Sequence, residues 1–287
     1  MSGHSPTMRR RRLAAELRRL REAAGVTQEE VAGRLEWDPS KLSRIENRQV
    51  GIIARDLRKL LDMYEVTDEA QRDGYFAMGR EGKQRAWWQS YGDVMPGEYG
   101  TLIGLEAEAA TISNYEQELV PGLLQTEDYA HAVIRAFRRD DSEEEISRRV
   151  ELRLARQQVL VRDDPPRLWA VISEAVVRRV VGGPAVMAAQ LRKLASERDR
   201  PVVTVQVLPF EAGEHPAMTG SFVSLDFPAP EPGTVYVENA SSALYLERVT
   251  DIERYAETFR FVLAAALGPK ESRDMLIVAA QELESRS

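Results

Sequence analysis

Ser40, Lys41, Ser43, Arg44 and Asn47 surround two apolar residues, Leu42 and Ile45, spaced three apart. Apolar residues at that spacing mark the buried side of a helix, which leaves the five polar side chains on its outer side. Arginine and lysine donate to guanine edges or phosphates, and serine and asparagine serve bases or backbone, so this segment has the chemistry to read a nucleic acid. A further group, Glu174, His215, Glu238 and Asn239, falls at the ends of expected strands and in the loop Gly213-Glu214-His215-Pro216. Pockets form at such ends, and these four are the candidates for holding a ligand. Catalytic candidates are not expected. Three histidines (His4, His131, His215), no cysteine, and no nucleophile elbow, zinc signature or phosphate-binding glycine loop leave no constellation for catalysis, a metal or a cofactor. Gly182-Gly183-Pro184 could hold an anion at a helix start but reads more simply as a turn that places Pro184 at the first helical position.

The elements that must position these residues follow from charge and periodicity. The net charge of −7 is an average over two unlike parts. Residues 1–60 carry 14 basic and 8 acidic side chains, a surplus of +6, while the remaining 227 carry 25 and 38, a deficit of −13. A basic head before an acidic body suits phosphate neutralisation by the head. At 287 residues the chain is long enough for one small and one larger domain. The absence of cysteine fits a reducing compartment, and no apolar run has the length of a membrane span, so a cytoplasmic protein is expected.

In the head, Leu13, Leu17 and Leu20 make the apolar stripe of a basic helix that Gly25 ends. Thr27-Gln28-Glu29-Glu30 has the capping-box pattern and opens a second helix of about nine residues with Val31, Ala32 and Leu35 inward. Asp38-Pro39 opens a third, because Asp caps free N–H groups and Pro at the first helical position lacks one. Leu57, Leu60, Leu61 and Tyr64 supply a fourth stripe. Two short helices joined by a tight turn, the latter with polar residues outward, fit a helix into the major groove.

The run Leu17 to Ala32, LRRLREAAGVTQEEVA, followed by Lys41 to Asn47, KLSRIEN, resembles the Cro/phage-repressor (XRE-type) helix-turn-helix over about residues 10–66. The resemblance implies that Gln28, Ser40, Lys41, Ser43, Arg44, Asn47 and Arg48 face DNA and that Glu46 braces the bundle. Two positions depart from the pattern, since Glu36 and Arg48 stand where the family usually has glycine. A left-handed conformation at either costs roughly 1 kcal/mol.

In the body, residues 79–99 read as an ordered connector in which Trp87 or Trp88 packs against the larger domain. Leu102 to Ile112, Tyr129 to Phe137 and Glu143 to Val161 have helical spacing. Short runs at Leu168 to Ile172, Val202 to Leu208, Phe222 to Phe227 and Val235 to Val237 read as strands, with helices at Pro184 to Ser196 and Asp251 to Leu267. The segments Glu116 to Ala130 (EQELVPGLLQTEDYA), Val180 to Pro184 (VVGGP) and Val205 to Phe210 (VQVLPF) are similar to the DUF5753-type domain that follows XRE domains in actinobacteria. This resemblance suggests the WhiJ-like group, whose members are often encoded beside a small DUF397-type protein.

The sequence therefore predicts an all-α helix-turn-helix N-terminal domain (9–78), the connector (79–99) and a larger α+β sensing or interaction domain (100–277). The expected function is sequence-specific transcriptional regulation by a homodimer on double-stranded operator DNA, with no membrane partner and with nucleoid association when bound. Two other readings stay open. One is an antitoxin-like protein that neutralises an adjacent DUF397-type partner, and the other is a nucleotide-dependent transferase with Glu238 as its carboxylate.

Overall fold

The computed structural model describes residues 6–47, 50–81, 87–95, 99–197, 201–229, 231–239 and 242–286. The chain divides into two compact units, residues 1–89 and 90–287.

The first unit is helical: α1 (Pro6–Ala23), α2 (Gln28–Leu35), α3 (Pro39–Glu46), α4 (Ala54–Met63) and α5 (Glu69–Glu81). Both expected helix starts are present. The Thr27 hydroxyl accepts from the Glu30 amide while the Glu30 carboxylate accepts from the Thr27 amide, and Asp38 accepts from the Ser40 amide ahead of Pro39. Gly25 turns the chain after α1 at φ +69°, a conformation that glycine adopts without a Cβ penalty. Leu17, Val31, Leu42, Leu57, Leu60 and Leu61 are buried in one core with Leu13 and Ile45. The stripes seen in the sequence thus converge from four helices. Full burial of such a leucine is worth about 2 kcal/mol, so this core holds α3 to the bundle by its inner side.

The other unit is α+β. Its elements are α6 (Tyr99–Glu106), β1 (Thr111–Glu116), α7 (Glu127–Phe137), α8 (Glu143–Arg156), β2 (Arg167–Ser173), α9 (Glu174–Arg178), α10 (Pro184–Ser196), β3 (Val203–Leu208), β4 (Phe222–Asp226), β5 (Thr234–Glu238), β6 (Ala243–Leu246), α11 (Val249–Ala265) and α12 (Pro269–Glu284). The sheet order is β3-β2-β1-β4-β5-β6, with β1, β2 and β3 parallel and β4, β5 and β6 joining antiparallel. The helical reading of Leu102 to Ile112 is corrected here: the helix stops at Glu106, and Thr111 starts the strand at the centre of the sheet. A continuous apolar run misled the period count, whereas β-branched Thr111 and Ile112 and aromatic Tyr115 suit a strand. β6 and α12 had no counterpart in the sequence reading.

Alternation along β1 separates two faces. Tyr115 points with Val171, Leu208, Phe222 and Val235 into a core closed by Phe259 and Val262 of α11. Asn114 and Glu116 point the other way. At Gly182, φ is +71° and a Cβ would lie 2.8 Å from the Val186 side chain, so the turn before α10 requires glycine there.

Candidate nucleic-acid interface

The outer side of α3 is built by an inward brace. Glu46, at the end of α3, is almost fully buried. Arg21 of α1 donates to both its oxygens, Nε to Oε1 at 2.7 Å and Nη2 to Oε2 at 3.1 Å, and Gln28 of α2 donates from Nε2 to Oε2 at 2.7 Å. The same guanidinium also donates to the Val26 carbonyl at 3.0 Å. Three helices therefore meet on one carboxylate, which fixes the angle between α2 and α3. Glu46 as a brace was legible in the sequence; its partners were not.

The seven expected contact residues fall into three groups. Ser40, Arg44 and Asn47 are exposed, and Ser43 is half-buried beside them, accepting from Asn47 Nδ2 at 3.1 Å. Among the described residues, the Arg44 guanidinium approaches a carboxylate only at Asp38, at 4.0 Å, and it is about half exposed. Gln28 and Lys41 are held inward. Lys41 Nζ lies 2.7 Å from Asp56 Oδ2 of α4 and 4.1 Å from the centre of the Trp37 ring, an ion pair combined with a cation–π contact. Arg48 lies outside the described residues. Trp37 and Asp56, which set the position of Lys41, were missed because Trp37 sits in a loop and Asp56 has the ordinary signature of an acid in the first turn of a helix. Glu36 adopts φ +54°, ψ +43° at the end of α2, so the left-handed turn exists without glycine.

In the α+β unit, the carboxyl ends of β1, β2 and β3 open into a cleft of about 280 Å³. The loop 209–221 crosses these ends, passing β2 and β1 before β4 begins, and carries His215. It is tied down by Gln117, whose Nε2 donates to the Ala217 carbonyl at 2.7 Å and whose amide donates to Ser221 Oγ at 3.1 Å. Phe210 N donates to Glu174 Oε2 at 3.0 Å, so buried Glu174 fastens the start of the loop while also pairing with Arg178.

A family model described as "Domain of unknown function (DUF5753)" matches residues 99–277, more than half of the chain, and one described as "Helix-turn-helix domain" matches residues 12–73. The chain belongs to the DUF5753 family. Its first unit is an XRE-type helix-turn-helix, the architecture of a DNA-binding regulator. Neither a curated protein nor a solved structure matches the chain.

Within the DUF5753 domain, the four expected ligand residues do not form one site. Glu174 and His215 belong to the cleft side of the sheet. Glu238 and Asn239 follow β5, where Glu238 shares the opposite face with Glu116 by strand register. Asn239 builds the β5–β6 turn, its Oδ1 accepting from the Ser242 amide at 3.0 Å. On that opposite face, burial pushes the Glu116 carboxyl up to about 7, with Glu238 adding to the rise and hydrogen bonds from Ser221 and Asn114 opposing it. Nearby, Arg156 is buried and donates to both oxygens of Glu106, each at 2.6 Å. Among the described residues no group of histidine and carboxylate side chains could hold a metal ion, and no helix is long and apolar enough to cross a membrane.

Proposed function

We propose that the chain is a homodimeric, sequence-specific transcriptional regulator whose helix-turn-helix units read the two halves of a symmetric operator, and whose DUF5753 domain receives the signal. The observation that carries this reading is the outer side of α3, where Ser40, Arg44 and Asn47 are exposed on a helix that Glu46 locks to two others. A rigid helix presenting polar side chains to solvent suits base-edge and phosphate contacts. The basic surplus of residues 1–60 supports it through phosphate attraction. Dimerisation is supported by energetics, because one small reading head makes few base contacts, and another head on a half-site about 10 bp away multiplies affinity. In this reading the DUF5753 domain binds a small molecule or a protein and performs no reaction of its own.

Genome-wide immunoprecipitation of the tagged chain, with sequencing of the bound DNA, tests the proposal. Sharp peaks over an inverted repeat that vanish in Arg44→Ala are expected. No peaks, or the same peaks in the variant, would overturn it.

A further inference from the structure

The cleft at the ends of β1, β2 and β3 has a composition that selects its occupant. Two large apolar side chains on its loop, Phe210 and Met218, are 61% and 63% exposed. Both line the same cleft, together with Leu208, Pro209 and Ala175. Covering exposed apolar residues gathered around one concavity removes them from water and so favours an apolar ligand, and methionine adapts its shape to the occupant. The volume corresponds to about nine waters at ~30 Å³ each, room for a single substituted ring.

Charge and hydrogen bonding narrow the class further. No lysine or arginine is among the described residues lining the cleft, and its one lining carboxylate, Glu118, is already paired with Arg179. An anion would find no cation free to receive it, and a cation would find its carboxylate already neutralised. Polar contacts enter from the sheet. The Tyr115 phenol is 3.4 Å from His215 Nε2. His215 Nδ1 is buried without a partner, and in the tautomer in which the phenol donates to Nε2 it carries the imidazole proton. Burial lowers the pKa of His215 from its ordinary value, which favours the neutral ring. The His215 ring itself lines the cleft.

We propose that this cleft binds a small uncharged aromatic molecule carrying a carbonyl-type acceptor, its ring covering Phe210 and Met218 and its oxygen accepting from His215. The inference deepens the reading of the DUF5753 domain as the signal-receiving part and rests on it.

Three probes of nearly equal shape separate the possibilities: benzamide, benzoate and benzamidinium, measured against the full chain by saturation-transfer NMR and calorimetry. Benzamide is expected to bind about tenfold more tightly than either charged probe, since each of those lacks a charge partner or an acceptor. Phe210→Ala, a substitution at an exposed position that spares the fold, is expected to weaken benzamide about tenfold. His215→Phe is expected to weaken benzamide about tenfold through loss of the donor while leaving the ring contact. Absence of benzamide binding at millimolar concentration, equal binding of all three probes to the wild type, or unchanged binding to both variants would overturn the proposal. Measuring affinity for operator DNA with and without saturating benzamide keeps the two readings apart. Benzamide binding that leaves DNA affinity unchanged overturns the sensing role and leaves the cleft's ligand class standing.

Discussion

Arg21 and Glu46 stand 25 positions apart in the chain and meet through two hydrogen bonds, at 2.7 and 3.1 Å, in a place where both side chains are largely withdrawn from water. Removing one member of such a pair leaves the other charged and stranded. Glu46→Ala is therefore expected to destabilise the helix-turn-helix unit by about 3 kcal/mol, and Gln28→Ala by about 1.5 kcal/mol, because the latter removes one bond and leaves the ion pair intact. Urea denaturation followed by helical circular dichroism measures both. Equal effects would mean that the brace does not depend on the ion pair.

Glu36 holds a left-handed conformation that costs a non-glycine residue about 1 kcal/mol. Glu36→Gly is expected to recover that strain, less the greater chain freedom that glycine gives to the unfolded state, for a net gain of about 0.5 kcal/mol. A thermal melt of residues 1–89 within the full chain reports it, and a loss of stability would show that Glu36 makes compensating contacts.

Arg44 and Lys41 lie three positions apart on α3 yet have opposite surroundings. Arg44 is half exposed, whereas Lys41 is tied to Asp56 and Trp37. Arg44→Ala is expected to weaken specific DNA binding by about 1–3 kcal/mol if it reads a base, or to reduce the slope of log K against log salt by about 0.9 if it contacts a phosphate. Lys41→Ala is expected to act mainly on stability, stranding Asp56. Fluorescence anisotropy across a salt series, with folding measured in parallel, distinguishes the two residues.

Glu116 gives the α+β unit a pH dependence of unusual sign. Its folded pKa of about 7 lies above the ordinary 4.5, so between these values the native state holds a proton that the unfolded state has released. Its contribution is full below about pH 4.5 and is lost as the pH rises through 7, for at most about 3 kcal/mol. Glu116→Gln keeps a neutral side chain at every pH, and the difference in unfolding free energy between variant and wild type is expected to widen from pH 5 to pH 8. A constant difference would remove Glu116 as the source.

Much of the first unit could be read from the chain because its signals are local. Thr27 with Glu30, Asp38 with Pro39, and the leucine stripes each lie within one or two helical turns, and the structure realises each of them. The tertiary choices were not legible. Whether Lys41 faces outward depends on Asp56, fifteen positions away, and the partners of Glu46 come from two other helices. In the α+β unit β2, β3, β4 and β5 were recognisable, and β6 was not. β1 was not, because Leu102 to Glu106 runs into it with few polar interruptions. With β1 unseen, Tyr115, Glu116 and Gln117 could not be placed, and Glu238 and Asn239 were grouped with residues that the sheet separates from them.

The crossing of loop 209–221 over two strand ends also bears on the order in which the chain matures. β1 gains β2 as one neighbour, but its other neighbour, β4, lies roughly a hundred residues further along. During synthesis at about 5–20 residues per second, the middle strand of the sheet waits on the order of ten seconds with one edge unpaired. The helical unit, whose contacts are short in sequence, can finish folding well before then. The newborn chain thus acquires its reading head early and passes through a stage with an open central strand, a stage in which it depends on protection from neighbouring chains until residues 222–226 arrive.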